Sequence, residues 1–193
     1  YDLEIFNVQN LEIHGGSNRY FIKRKMNKIP INLSVRKNRK KEINYGIKNL
    51  STYFKFAKRV KSSKKKLRKI FLKLRNKKKD IIGYGVTAKS TTILNYCDIG
   101  KKFISYFVDT TKDKQNKYTP GMKIPIYKYP GFIEKNIDYI FLGAWNFKEE
   151  IFKKEKKFIK NGGKFIIHTP IPKIIWKKLY SLVEQVDLQM YLS

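Results

Sequence analysis

The sequence predicts an α/β fold, a parallel sheet flanked by helices, and three observations predict it. From Asp80 to Cys97 a short apolar run, a glycine-rich turn and apolar positions at Ile93, Leu94 and Cys97 read as strand, tight turn and helix. Strand-like and helix-like patterns then keep alternating as far as Thr169, which implies right-handed crossovers between parallel strands. The runs Phe103 to Val108 and Ile137 to Leu142 are almost continuously apolar, as strands covered on both faces must be. The sheet is therefore Rossmann-like, and ligands of such sheets bind beyond the carboxyl ends of the strands. The turns at Gly83, Asp109, Trp145 and His168 all lie at that edge.

The elements follow in order. Leu3 to Val8 and Arg19 to Lys23 alternate imperfectly around Ile13-His14-Gly15-Gly16-Ser17, which predicts an antiparallel hairpin over residues 1–25. A lone hairpin is marginal in water and needs a further sheet. His14 closes the turn and is a candidate ligand contact or base, set against the purely structural reading of a turn histidine. Residues 26–37, with Pro30, read as a loop. Apolar positions from Ile43 to Ala57, resuming after Ser62-Ser63 at Leu67, Ile70, Phe71 and Leu74, predict one long or two shorter amphipathic helices, with Tyr53 and Phe54 on the core side. Residues 26–79 thus form a basic helical segment, and residues 80–170 the sheet domain. Within the latter, Lys112 to Pro130 is a polar, turn-rich loop containing the extended run Ile124-Pro125-Ile126, and a loop of that length is usually functional. A helix from Phe147 to Lys160 has acids in its first turn, lysines in its last and a stop at Asn161-Gly162-Gly163. Phe165 to His168 is the closing strand. Residues 171–193, with Trp176, Leu179, Val183 and Val186 at helical spacing, predict a C-terminal helix.

The 193 residues carry a formal charge of +29, and its distribution decides what it means. Between Lys23 and Lys79 lie 24 basic residues against one acid, Glu42. Lysine greatly outnumbers arginine there, on the wet faces of helices, whereas recognition of bases and phosphates leans on arginine forks and interleaved aromatics. A solvated surface is the expected role, with no specific nucleic acid and no membrane as partner. The longest apolar runs fall short of the roughly 20 residues a membrane helix needs. Cys97 is the single cysteine, so neither an internal disulfide nor a cysteine-rich zinc site is expected, and a cytoplasmic setting fits. The chain begins at Tyr1 within strand-like sequence and reads as a piece of a longer protein.

The central turn nearly fits two known patterns. Gly83, Gly85 and Ala88 satisfy Gly-x-Gly-x-x-Gly/Ala, and Asp109 follows where a ribose-binding carboxylate would sit. Read instead as a phosphate loop, Gly83 to Ser90 has Ala88 in place of the second glycine, which argues against nucleotide hydrolysis. Lys89 falls in the first turn of the helix, where a cation is disfavoured unless an anion binds there.

Four ordered motifs resemble a known family. They are Ile13 to Ser17; Gly83-Tyr84-Gly85 with Ala88-Lys89 and Thr92 to Cys97; Asp109 with Lys114-Gln115, Lys117-Tyr118, Pro120-Gly121 and Ile124 to Ile126; and Ala144 to Lys148 with Glu150-Ile151. Together they resemble the C-terminal region of S-adenosylmethionine-dependent sugar C-methyltransferases over roughly residues 3–170. The resemblance implies that this Rossmann-like domain helps hold a nucleotide-linked sugar, and that residues 1–25 are the last two strands of a class I methyltransferase domain. It further implies that the S-adenosylmethionine site, a zinc-binding N-terminal module and the catalytic proton-abstracting residues lie upstream of Tyr1. The complete enzyme would deprotonate a carbon beside a keto group, and the carbanion would take the methyl group. Gly83, Gly85, Lys89, Thr91 and Asn95 are then the expected phosphate or sugar contacts, with His14, Lys114, Tyr118 and Asn146 lining the cleft and no metal bound by this chain. Ser90 stands where many members carry glycine.

Two other readings share parts of this pattern. A dinucleotide-dependent oxidoreductase would use the same glycines and Asp109, but no hydride-transfer partner is evident. A basic nucleic-acid-binding module would use the lysine-rich segment.

Overall fold

The structure, a computed structural model, describes residues 1–130 and 137–176. The chain divides into two compact units, Tyr1–Val60 and Lys61–Ser193.

In the first unit β1 (Leu3–Leu11) pairs antiparallel with β2 (Ser17–Arg24), in the register Leu3 to Arg24 and Leu11 to Ser17, across a 3-10 turn at Ile13–Gly15. The first helix, α1, spans Leu33–Tyr45 and begins well before the position expected from periodicity. Asn32 explains the early start, since its side chain accepts the Ser34 N–H and caps the helix. Ser34 also ties α1 to β1, accepting the Val8 N–H at 3.0 Å and donating to Asn7 at 2.7 Å. Gly46, left-handed at φ +76°, ends α1. The second helix, α2, runs unbroken from Leu50 to Asn76. The interruption therefore falls at Gly46 and not at Ser62-Ser63, because serines tolerate a helix that glycine in the left-handed region stops. Tyr53 and Phe54, expected on a core side, are exposed.

The second unit is the α/β sheet. Its strands are β3 (Ile81–Tyr84), β4 (Phe107–Asp109), β5 (Ile126–Lys128), β6 (Tyr139–Leu142), β7 (Lys164–Ile167) and β8 (Lys173–Ile175), in the order β5-β4-β3-β6-β7-β8. The first five are parallel and β8 is antiparallel to β7. This is the doubly wound order, with the reversal between β3 and β6. The strand expected to close the sheet is thus followed by another over residues 173–175, where a tail helix was expected; residues 177–193, including Leu179, Val183 and Val186, lie outside the described residues. The strand expected from Phe103 begins only at Phe107. Phe103 and Ile104 sit in a turn whose amides both reach the Gly100 carbonyl, while their side chains remain buried.

Alternate strand residues feed two cores. Ile81, Phe107, Phe141 and Ile166 face α2 and α3 (Ala88–Cys97), against Leu67, Phe71, Leu74, Leu94 and Cys97. Spacings of four and three between Leu67, Phe71 and Leu74 place all three on one face of α2. Ile82, Val108, Leu142 and Phe165 face the other layer, α4 (Lys148–Lys154) and α5 (Lys156–Lys160), through Ile151, Phe152 and Ile159. The single helix expected over 147–160 is divided at Glu155, whose backbone leaves helical angles while its buried carboxylate accepts from Tyr129.

Candidate functional site at the carboxyl edge of the sheet

The glycines of the β3–α3 turn serve contacts within the chain. Gly83 lies inside β3, where a Cβ would fall 2.2 Å from the Phe107 ring, so the ring occupies the space the glycine leaves. Gly85 is left-handed at φ +77°, and a Cβ there would stand 2.6 Å from Ala144 in the turn after β6. From that turn, a Cβ on Gly143 would lie 2.1 Å from the Gly85 carbonyl. The two turns at the topological reversal are packed together through their glycines.

The start of α3 is capped from within. The Thr87 N–H donates to Ser90 Oγ at 2.9 Å, the Ser90 N–H returns to Thr87 Oγ1 at 3.0 Å, and the Thr87 hydroxyl donates to the Gly143 carbonyl at 3.1 Å. Two amides of the turn are therefore satisfied by its own hydroxyls. Ser90, in place of a glycine, is what closes this box.

Asp109 ends β4, where a ribose-binding acid was considered. Its Oδ2 accepts the Val86 N–H at 2.7 Å and its Oδ1 the Thr111 N–H at 2.8 Å, with Lys114 Nζ 3.5 Å away. Burial alone would push this carboxyl up; the two amide bonds, the Thr111 hydroxyl and the Lys114 charge outweigh it and hold the group below the usual carboxylate range. Lys114 also donates to the Val86 carbonyl at 2.7 Å. Asp109 and Lys114 thus staple the β3–α3 turn to the turn after β4.

Beside this staple opens a cleft of about 290 Å³. Thr87, Thr110, Thr111 and Lys114 give it a polar part, and Tyr84, Tyr129, Phe147 and Ile151 an aromatic and apolar part, with Lys154 between charge and ring. The Tyr84 and Tyr129 rings meet edge to face at 5.4 Å, the Tyr129 hydroxyl donates to Glu155 at 2.7 Å, and Lys154 Nζ stands 4.0 Å from the centre of the Tyr129 ring. Burial, then the Glu155 hydrogen bond, pushes the Tyr129 hydroxyl up to about 12. Burial and the Glu155 charge raise Tyr84 as well. Both phenols stay protonated near neutral pH, so neither serves as a base, and with the Tyr129 proton engaged by Glu155 they offer the cleft their ring faces.

Of the residues expected from sequence, Gly85, Asp109 and Lys114 line this cleft. Gly83 lies buried in β3. Lys89 reaches across the start of α3, its Nζ 5.3 Å from the centre of the Trp145 ring. Thr91 and Asn95 form the outer side of α3, where Asn95 donates to the Thr91 carbonyl at 2.8 Å and the Pro120 carbonyl at 3.0 Å and so holds the 118–125 loop. Tyr118 is exposed in that loop, with Lys101 Nζ 5.3 Å from its ring centre. Asn146 occupies the 3-10 turn Trp145–Phe147. His14 belongs to the first unit, exposed in the hairpin turn at φ +56°. Sequence reasoning missed Tyr129, Phe147, Lys154 and Glu155 as site residues; Tyr84, between the two fingerprint glycines, and Phe147, in the fourth motif, carried a signal. Among the described residues no three potential metal ligands come together, and no helix is long and apolar enough to cross a membrane.

The sequence model of the C-methyltransferase C-terminal domain family matches residues 12–172. The C-methyltransferase NovU of Streptomyces niveus is 32% identical over 175 residues, which make up 91% of this chain and 42% of that protein. The chain therefore spans less than half the length of the curated relative it matches.

Proposed function

Because the chain belongs to the C-methyltransferase C-terminal domain family, we propose that it is the substrate-holding C-terminal part of an S-adenosylmethionine-dependent C-methyltransferase that acts on a nucleotide-activated keto sugar in the cytoplasm. The observation that carries this reading is the composition of the cleft. A nucleotide-linked sugar presents an uncharged ring system joined to a diphosphate, and the cleft offers neutral phenols and Phe147 beside threonine hydroxyls and two lysines, Lys114 and Lys154, with Glu150 and the amide-bound Asp109 as its acids. The residues at the central turn do not fit the methyl donor or a dinucleotide. The acid that would grip a ribose, Asp109, is engaged by two backbone amides, and the glycine that would admit a pyrophosphate, Gly85, is packed on Ala144. The donor is accordingly assigned to a domain of which β1 and β2 form only the end, and the zinc to a separate N-terminal module.

What this chain does is bind and orient. Lys154, which lines the cleft, supplies charge for phosphate oxygens, and the Tyr84 and Tyr129 rings offer apolar faces to the base or sugar. Calorimetric titration with a nucleoside-diphosphate keto sugar tests this. Lys154→Ala should weaken binding by ~1.5–3 kcal/mol, the range for a hydrogen bond to a charged group, with thermal stability little changed. Unaltered affinity in that variant, or tight binding of NADH instead of the sugar nucleotide, would overturn the assignment.

A further inference from the structure

At the amino ends of the strands, the edge away from the cleft, a second cavity of about 270 Å³ opens between the end of α2 and the segment before β4. Five of its nine lining residues, Arg75, Lys78, Lys79, Lys101 and Lys102, are cations, and Asp80 is its one acid. Lys79 is paired with Asp138 at 2.8 Å and Lys102 stands 3.8 Å from Asp98. Among the described residues, Arg75, Lys78 and Lys101 take part in no ion pair. Arg75 and Lys102 are both held over the buried Phe103 ring, 5.7 and 5.6 Å from its centre.

The backbone adds a second observation. Lys78 is left-handed, φ +50°, in the turn that ends α2, where the Lys78 N–H reaches the Arg75 carbonyl at 2.8 Å and the Lys79 N–H the Leu74 carbonyl at 3.1 Å. Glycine or asparagine ordinarily fills such a position, and a lysine there is strained. The strained residue is one of those that bring charge to the cavity.

Like charges gathered in one cavity repel one another, and an anion with several charges relieves that repulsion. The volume lies at the low end for small-molecule sites, roughly 300 Å³, which limits the ligand to a short one. We propose that this cavity is a polyphosphate site, taking two or three linked phosphates, inorganic or at the end of a nucleotide, and separate from the sugar-nucleotide cleft. Occupancy stabilises the sheet unit because it neutralises charges on α2 and on the segment before β4 together.

The test titrates the whole chain at low salt with inorganic triphosphate, with ATP and with orthophosphate, reading heat and thermal unfolding. Triphosphate and ATP should bind alike, more tightly than orthophosphate, and both should weaken as salt rises. Lys78→Asn combined with Lys101→Gln, both exposed positions, should lower triphosphate affinity by at least about tenfold while folding normally. Lys65→Gln with Lys69→Gln removes the same charge from exposed positions of α2 and should leave affinity within about twofold. Equal weakening by the two pairs would mean diffuse attraction and would overturn the site. So would binding of ATP without binding of inorganic triphosphate, which places recognition in the base.

Discussion

His168 ends β7 with 4% of its surface exposed, its ring 5.5 Å from that of Phe141, and among the described residues neither ring nitrogen has a hydrogen-bond partner. Burial lowers its pKa from 6.5 to about 4. Unfolded chains take up the proton near 6.5, whereas the folded ring stays neutral until about 4. Its neutrality therefore favours folding fully above pH 6.5, and that advantage is lost as pH falls from 6.5 to 4, by about 3 kcal/mol in all. Chemical denaturation at a series of pH values should show this loss in the native protein and not in His168→Phe, which keeps a ring without nitrogens. An identical pH dependence in the two would place the acid-sensitive group elsewhere. The same scale shows how unevenly the site was legible. Gly85 and Lys114 stand in motifs whose residue types already demand a turn and a charge. Tyr129 and Glu155 meet across 26 positions of sequence, and neither lies in a pattern that would announce the other. Gly83 reads in sequence as a ligand contact, whereas the space it leaves is filled by Phe107, which only the sheet register reveals.

Helix α2 shows what one element contributes and what periodicity can say of it. Leu67, Phe71 and Leu74 are its buried residues, and Phe71 touches both Phe103 and Phe141, with ring centres 5.8 Å apart in each case. Truncating a fully buried phenylalanine removes its transfer free energy and leaves a cavity that rigid strand neighbours cannot fill. Phe71→Ala should therefore cost ~3–5 kcal/mol of stability, read as a shift of the denaturation midpoint at unchanged slope. Phe54→Ala, exposed on the same helix, should change stability by less than about 0.5 kcal/mol. The helical spacing of Phe54 and Phe71 is alike, so sequence alone ranked them together. Strands were legible because their apolar runs are continuous, yet continuity could not separate the turn at Phe103 and Ile104 from the strand after it, both being buried. The breaks at Gly46 and Glu155 depended on a left-handed glycine and on a carboxylate drawn towards Tyr129, local events that average periodicity smooths over.

On the scale of the molecule the two units differ in what they bury. Of the residues up to Val60, only Val8 and Lys23 are buried, while Leu3, Ile5, Ile22, Leu50 and Phe54 are exposed. The sheet unit holds both apolar cores. Protection from hydrogen exchange follows buried contacts, so amides of β1 and β2 should exchange well before those of Ile81 and Ile82, although all lie in paired strands. The same imbalance bears on activity. If β1 and β2 belong to the end of a donor-binding domain, the chain by itself lacks the means to position a methyl donor, and positioning is worth ~7–11 kcal/mol of barrier. S-adenosylmethionine titrated into the 193-residue chain at micromolar levels should then give no heat, and a keto-sugar nucleotide incubated with both should gain no mass. Joined to the donor domain of a full-length relative, the chain should support transfer, and exchange in β1 and β2 should slow as their exposed apolar side chains are covered. Donor binding by the chain alone would move the donor to the cleft beside Gly85. Fast exchange in β1 and β2 even when joined would remove the hairpin from the donor domain while leaving the sugar-nucleotide assignment of the cleft standing.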